Sequence, residues 1–341
     1  MEQNLVLVMS TSLDSEDGST YGIPHRIYCA EFHLVDLKTK EIHLKYVPSL
    51  PQCVATSSLV AVDKFLYIFG GPSSSYDTSH FDPQYFDSHL KLFMGASRLS
   101  LDLDLDPSQV PKPVLNCSFP FCISLATKIY SFGSVVFIPE VFDPMNGPQN
   151  WEAIVDYPSD LKDCQVSDYP IPDPSNTRIL MHLTGGKLPS PSIYSYSPTR
   201  GWEPIIRDFR GWTRVAAVVD NVIFFHSLEY SGVVRGFDIQ SGHWLRVRWA
   251  ASKSGFTGSN MNKSRMEFDA LLPMGDRMLC LAVWTFTSVS DDLGRSRPTI
   301  RMTFLKYSVK RINSTLLTLH PDSSFSCDLP ATSKVLNFLP V

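Results

Sequence analysis

The sequence predicts an all-β chain: short antiparallel sheets, each too small to cover its own faces, stacked around a common axis. Three observations predict it. Short runs rich in Val, Ile, Leu, Phe and Tyr recur from end to end, which is strand chemistry. They are separated by 25 prolines and 18 glycines, so few windows could hold a helix of ordinary length. Finally, one unit repeats: an apolar strand, a polar turn, a second apolar strand ending in small residues, a loop, an aromatic strand, then Trp.

The copies follow in order. Ser58–Val62 turns at Asp63-Lys64 into Phe65–Phe69 and Gly70-Gly71. Phe121–Leu125 turns at Ala126-Thr127-Lys128 into Ile129–Phe132 and Gly133, continuing through Val141-Phe142-Asp143-Pro144 to Trp151. Ile179–Leu183 ends in Thr184-Gly185-Gly186 and leads to Ile193–Ser197 and Gly201-Trp202. Val215–Val219 turns at Asp220-Asn221 into Val222–Phe225 and His226, then Val234–Asp238 and His243-Trp244. A weaker copy runs from Ala270–Met274 through Gly275-Asp276-Arg277 to Met278 and Trp284. Asp and Asn tolerate the backbone twist of tight hairpins, Gly-Gly allows positive φ and close approach, and Trp fills the space between neighbouring sheets.

Six second strands are legible: Leu5–Met9, Phe65–Phe69, Ile129–Phe132, Ile179–Leu183, Val222–Phe225 and Met278–Val283. The first has no first strand before it, and Val335-Leu336-Asn337-Phe338-Leu339 supplies an apolar run of the missing kind. The expected architecture is therefore a six-bladed β-propeller, one domain over residues 1–341, closed by pairing of the C-terminal strand with the first blade, which removes an open sheet edge. Strands two to three and blade-to-blade connections emerge on one side, where the long segments 11–25, 72–90, 287–298, 104–114, 156–177, 206–212 and 250–267 are expected to carry function.

These residues resemble the kelch repeat. The pattern is clean at Gly70-Gly71 and at Gly185-Gly186 with Tyr194 and Trp202, partial at Gly133 with Trp151 and at His226 with Trp244, and without its glycines in the first and last copies. The likeness spans nearly the whole chain and is closest to plant-type kelch proteins. It implies a propeller that binds partners through its loop face, commonly with arginines. Many such proteins carry an N-terminal F-box; none is visible ahead of the first blade here, so a ligase-adaptor role is not implied. The kelch specifier proteins of glucosinolate breakdown hold iron through Glu-x-x-x-Asp-x-x-x-His, a motif this sequence lacks.

Thirty Lys+Arg against 34 Asp+Glu leave a net charge of −4, which argues against nucleic acid or an acidic membrane as partner. Apolar stretches such as Leu5–Met9 fall far short of the roughly 20 residues that span a bilayer. The first residues lack the basic start and long apolar run of a signal peptide, so a cytoplasmic or nuclear monomer is expected. Its seven cysteines then read as thiols, with no Cys-x-x-Cys pair for zinc.

Four groups of residues could carry chemistry. Asp77, His80, Asp82, Asp87 and His89 share one segment; imidazoles and carboxylates at that density could bind Fe²⁺, Mn²⁺ or Zn²⁺ or move protons, although the spacing matches no specific metal motif and a solvated polar insertion has the same composition. Arg207, Arg210, Trp212 and Arg214 could hold a carboxylate or acidic peptide by guanidinium forks and stacking, or form a solvated strand approach with Trp212 packed between blades. His226 and Trp284 stand where other copies have glycine, where they either line the channel or pack; Tyr230, Arg265 and Arg295 are rim companions. His33, His43, His182, His243 and His320 read as structural residues on strands or turns. The alternating Leu101–Asp106 run reads as a polar strand edge.

Two functions remain open. One is a binding module that recognises a partner protein or ligand through the long-loop face. The other is an enzyme or specifier protein of plant specialised metabolism, cofactor-free, using Asp77, His80, His89 or His226 for acid/base cyclisation, isomerisation or hydrolysis at the channel mouth.

Overall fold

The computed structural model describes residues 5–14, 27–47, 58–62, 65–69, 90–93, 108–109, 120–133, 139–146, 151–154, 156–167, 169–173, 177–209, 216–226, 234–250, 269–275, 277–290, 296–330 and 333–340. Every regular element among them is a β-strand. The first sheet uses β1 (Leu5–Asp14), β2 (Ile27–Asp36) and β3 (Glu41–Val47). The second uses β4 (Ser58–Val62), β5 (Phe65–Phe69), β6 (Leu90–Phe93) and β7 (Ser108–Gln109). The third uses β8 (Pro120–Leu125), β9 (Lys128–Gly133), β10 (Glu140–Phe142) and β11 (Glu152–Ala153). The fourth uses β12 (Cys164–Val166), β13 (Ile171–Asp173), β14 (Arg178–Gly185), β15 (Ser192–Ser197) and β16 (Gly201–Arg207). Then come β17 (Ala216–Val219), β18 (Val222–His226), β19 (Val234–Asp238) and β20 (His243–Trp249). Last are β21 (Asp269–Pro273), β22 (Met278–Ser290), β23 (Ser296–Asn313), β24 (Leu316–Pro330) and β25 (Ser333–Pro340).

Consecutive strands pair antiparallel within each group, except that β12 and β13 both pair with β14, and β25 leaves the last group to complete the first sheet in the order β25-β1-β2-β3. Its register against β1 runs from Val6↔Pro340 to Ser12↔Ser333 with a slip at Met9/Ser10. The expected pairing of the C-terminal strand with the first sheet is thus present. The first strands succeed one another as neighbours: β25 meets β4, β4 meets β8, β8 meets β13, β13 meets β17, β17 meets β21, and β21 meets β25. A succession of antiparallel sheets that returns to its start in this way is a β-propeller.

The core is a series of apolar slabs between adjacent sheets. Strand β18 shows why. Val222 and Phe224 join β21–β24 residues such as Leu271, Leu281 and Leu319, while Ile223 and Phe225 join Leu180 and Ile193 of the fourth sheet. Alternate residues point to opposite faces and both faces are covered, so the second strands read as unbroken apolar runs. Phe69, Phe142 and Trp151 knit the second sheet to the third, with Phe142 and Trp151 stacked at 5.4 Å.

Turns are specified locally. Asp220 and Asn221 take φ of 52° and 60°, two successive left-handed residues as a two-residue hairpin requires. A further device recurs where third strands turn into fourth strands. The Asp36 carboxylate accepts from the Lys38 and Thr39 N–H groups at 2.7 and 3.1 Å, and Asp143 accepts from Met145 at 3.1 Å. Asp238 accepts from Gln240 and Ser241 at 2.9 and 3.2 Å, and Asn313 from Thr315 at 2.9 Å. Ser197 does the same for Thr199 at 3.4 Å. At these five third-strand ends a short acceptor bonding to backbone two residues ahead starts the reversal.

Two expected long connections are partly strand. Segment 156–177 contains β12 and β13, which together supply the inner strand of the fourth sheet by pairing with β14. Val166↔Leu183 and Ile171↔Leu180 bracket four residues of one chain against two of the other, a bulge that hid the strand from the pattern. Segment 287–298 is largely a hairpin, since β22 pairs with β23 out to Ser290↔Ser296. The Leu101–Asp106 run, Gly70-Gly71 and most of 72–90 lie outside the described residues.

The Gly185-Gly186 pair has separate reasons at its two positions. Gly185 has φ +75° with open space where a Cβ would sit. At Gly186, φ +58°, a Cβ would meet the Lys162 carbonyl oxygen at 2.7 Å and Cys164 N and Sγ at 2.9 Å. Gly186→Ala should therefore cost more than Gly185→Ala: strain of about 1 kcal/mol at both, plus displacement of β12 at Gly186 for a total of about 2–4 kcal/mol. Urea unfolding of the two variants measures the difference; equal losses would contradict this account.

Asp238 also receives Arg311 at 2.6 Å from β23, an ion pair 4% exposed on the carboxylate side. Burial pushes this carboxyl upward, but the Arg311 hydrogen bond, the Ser241 N–H and the guanidinium charge outweigh it and hold it below the ordinary value. A carboxylate lowered on folding stabilises the fold fully above its unfolded value of about 3.9 and stops doing so as pH falls through the lower folded value. Asp238→Asn is expected to cost about 1.5–3 kcal/mol at pH 7. Urea titrations at pH 7 and below pH 3 should show that gap closing in acid.

Candidate binding cleft at a strand that changes sheets

Strand β20 divides its pairing. His243, Trp244 and Leu245 pair with Asp238, Phe237 and Gly236 of β19, and the next four residues pair in parallel with β24, from Arg246↔Leu316 to Trp249↔Leu319. The Arg246 N–H donates to Thr315 O at 2.8 Å and the Ala250 N–H to Leu319 O at 2.9 Å. The result is one eight-stranded sheet, β17-β18-β19-β20-β24-β23-β22-β21. The local sequence suits it: Leu245, Val247 and Trp249 join the apolar slab with Leu317, Leu319 and Tyr307, while Arg246 and Arg248 take the other face. Trp249 meets Tyr307 edge-on at 4.8 Å.

Where β20 leaves β19 a cleft of about 670 Å³ opens, lined by Arg235, Trp244, Arg246, Arg248, Asn313 and Thr315 among others. Trp244 forms one wall. Its ring stacks on Phe209 at 5.4 Å and 8°, meets Phe225 and Phe237 edge-on, and is still 47% exposed. Phe209 is itself fully buried and held by its N–H donating to Pro191 O at 2.8 Å, so the platform is fixed from behind. Three guanidinium groups and no carboxylate or imidazole line the cleft among the described residues. Guanidinium groups carry positive charge and present forked donors that match carboxylates and phosphates, so this lining suits an anion.

A second polar group sits over the fourth sheet. The Tyr194 hydroxyl donates to Asp160 Oδ2 at 3.0 Å. Burial pushes the Tyr194 phenol up, the Asp160 bond and charge add to this, and the Arg207 charge opposes them. Cys164 Sγ donates to the Asp160 and Gly185 carbonyls at 3.4 Å each. Burial, reinforced by Asp160, pushes its thiol up, so it stays protonated and is a packing residue rather than a nucleophile.

Of the residues singled out from sequence, Asp77, His80, Asp82, Asp87, His89, Arg210, Trp212, Arg214, Tyr230, Arg265 and Arg295 lie outside the described residues. Arg207 is exposed at the end of β16, on the Tyr194 side of its sheet. His226 ends β18 with its backbone opposite Val234. Trp284 pairs with Met302 and is buried at 4% exposure with Val35, Leu272 and Ile300. These three belong to three different groups of strands. The five histidines read as structural all lie on strands. Sequence reading missed Arg235, Arg246 and Arg248; the signal was the alternation Leu245-Arg246-Val247-Arg248-Trp249, which puts two arginines on one face.

No family model matches the chain, and no curated protein matches it. Among solved structures it is similar to the β-propeller domain of the Trilobed protease from Pyrococcus furiosus, with 11% identity, TM-score 0.40, and coverage of 88% of this chain and 90% of that one. It is also similar to AofleA from Arthrobotrys oligospora, with 8% identity, TM-score 0.36, and coverage of 83% and 92%. The Pyrococcus horikoshii acylaminoacyl peptidase matches at 10% identity and TM-score 0.39, over 94% of this chain and 63% of that one. The sheet order, and not these distant likenesses, carries the propeller assignment made above.

Proposed function

We propose that this chain is a six-bladed, kelch-like β-propeller that serves as a binding module and holds an anionic group of its partner in the cleft beside β20. Six blades follow if the eight-stranded sheet is read as two groups of four joined at their outer strands, β20 and β24. The kelch-like reading is supported by the Gly185-Gly186 turn and by Trp151, Trp202 and Trp244 at or beside the outer strands of three successive groups.

One observation carries the functional reading: Arg235, Arg246 and Arg248 converge with Trp244 on a cleft whose 670 Å³ falls within the usual range for ligand sites, about 300–1,000 Å³. Fixed positive charge beside an exposed, rigid indole suits recognition, since Arg and Trp are the side chains that most often dominate binding energy. The acid/base alternative rests on Asp77, His80, His89 and His226, whose side chains lie outside the described part, and no arrangement of the described residues favours it.

Thermal unfolding with citrate or phosphate, compared with chloride at matched ionic strength, tests the reading. A ligand at a hundred times its Kd stabilises the folded state by about 2.7 kcal/mol. The wild-type chain should melt several degrees higher with the multivalent anions, and Arg246→Ala/Arg248→Ala should lose that increment. Equal shifts in both proteins would overturn the proposal.

A further inference from the structure

The geometry points to a specific occupant for this cleft, and the inference rests on the anion-binding reading above: an extended acidic segment of a partner protein, with acidic residues at alternate positions, laid along β20 as an added strand. Three independent features of β20 carry it.

The first is spacing. Arg246 and Arg248 are two residues apart on one strand and line the same cleft, so their Cα atoms repeat at about 7 Å. Carboxylates at alternate positions of an extended peptide repeat at the same distance, and each can take a guanidinium fork bidentately. A compact anion with a single charged group would engage only one rung of this ladder.

The second is the strand edge. The Arg246 and Ala250 N–H groups are spent on β24. In an extended strand the intervening Val247 and Trp249 direct their N–H and C=O groups to the opposite edge. That edge faces the side β19 occupied up to Gly236↔Leu245, and among the described residues no strand pairs with it beyond that point. A run of backbone donors and acceptors beside a cleft is what strand addition uses for affinity, with side-chain contacts at alternate positions giving specificity.

The third is the anchor. Trp244 closes one end of the arginine row with 47% of its surface exposed, although three aromatic rings hold it in place. An apolar residue at the end of the acidic segment would cover that ring. The charge of the lining selects an acidic chain over a basic or neutral one, and the edge left unpaired among the described residues selects a peptide over a small anion.

Fluorescence anisotropy on the full chain tests this with three labelled peptides: one alternating Asp and Val, one of the same composition with its Asp residues in a block, and the alternating one with N-methylated peptide bonds. The alternating peptide should bind at least tenfold more tightly than the block peptide, and N-methylation should remove most of the binding. Arg246→Ala and Arg248→Ala should each weaken it several-fold. Both side chains are exposed, and Arg248→Gln provides a milder variant; far-UV circular dichroism checks that the sheets persist.

If both unmodified peptides bind equally and the double arginine variant loses both, the cleft remains an anion site and the strand-addition inference is overturned. Strand addition is equally overturned if no peptide binds while citrate still raises the melting temperature. Tighter binding of a single-stranded oligonucleotide than of any peptide would also count against it decisively. Peptide binding indifferent to both arginines would sink the inference and the anion-binding reading together.

Discussion

A four-stranded sheet with apolar residues on both faces must be covered twice, and none of the sheets in this chain can cover itself. Val222 and Phe224 need one neighbour while Ile223 and Phe225, on the same strand, need another. Each added sheet satisfies one face and exposes the next, so the demand ends only when the last sheet reaches the first. Here the slab containing Trp284, Ile300 and Cys327 is completed by Val35 and Leu37 of the first sheet. Burying each large side chain contributes about 1.5–3 kcal/mol, which favours closing that slab.

The same demand explains the departure at β20. Its inner-facing residues continue the apolar slab with β24, and Leu245, Val247 and Trp249 would lose that contact if the strand stayed beside β19. The Asp238–Arg311 pair draws the two groups together at the point where the pairing changes. Leaving β19 opens the cleft, and the residues between the apolar ones are arginines. Fold and candidate site are in this sense one event: alternation within five residues sends one face to the core and the other to solvent.

How much of this was legible depended on burial. The second strands, such as Ile179–Leu183 and Val222–Phe225, are covered on both faces and therefore appear as continuous apolar runs that announce themselves. So does Val335–Leu339, whose pairing with β1 was foreseeable from a missing partner. Strands β12 and β13 were not legible, because Pro170, Pro172 and the intervening bulge give them the composition of a loop; their partner is chosen by β14 and not by local propensity. The cleft was missed for a related reason. Arg246 and Arg248 sit on an outer strand that looks like any other in the repeat, and only the long-range choice of β24 over β19 turns them into a lining. Arg207 stood out as part of a cluster with Arg210, Trp212 and Arg214, which lie outside the described residues, and among the described groups its charge acts on the Tyr194 phenol of its own sheet.

One consequence concerns how force travels. Strand β24, whose Leu316 lines the cleft, ends at Pro330, and β25 begins at Ser333, so the strand that receives β20 stands close in sequence to the clasp that pairs with β1. Tension applied at the cleft would be shared with β23, against which β24 is paired from Leu316 to Pro330.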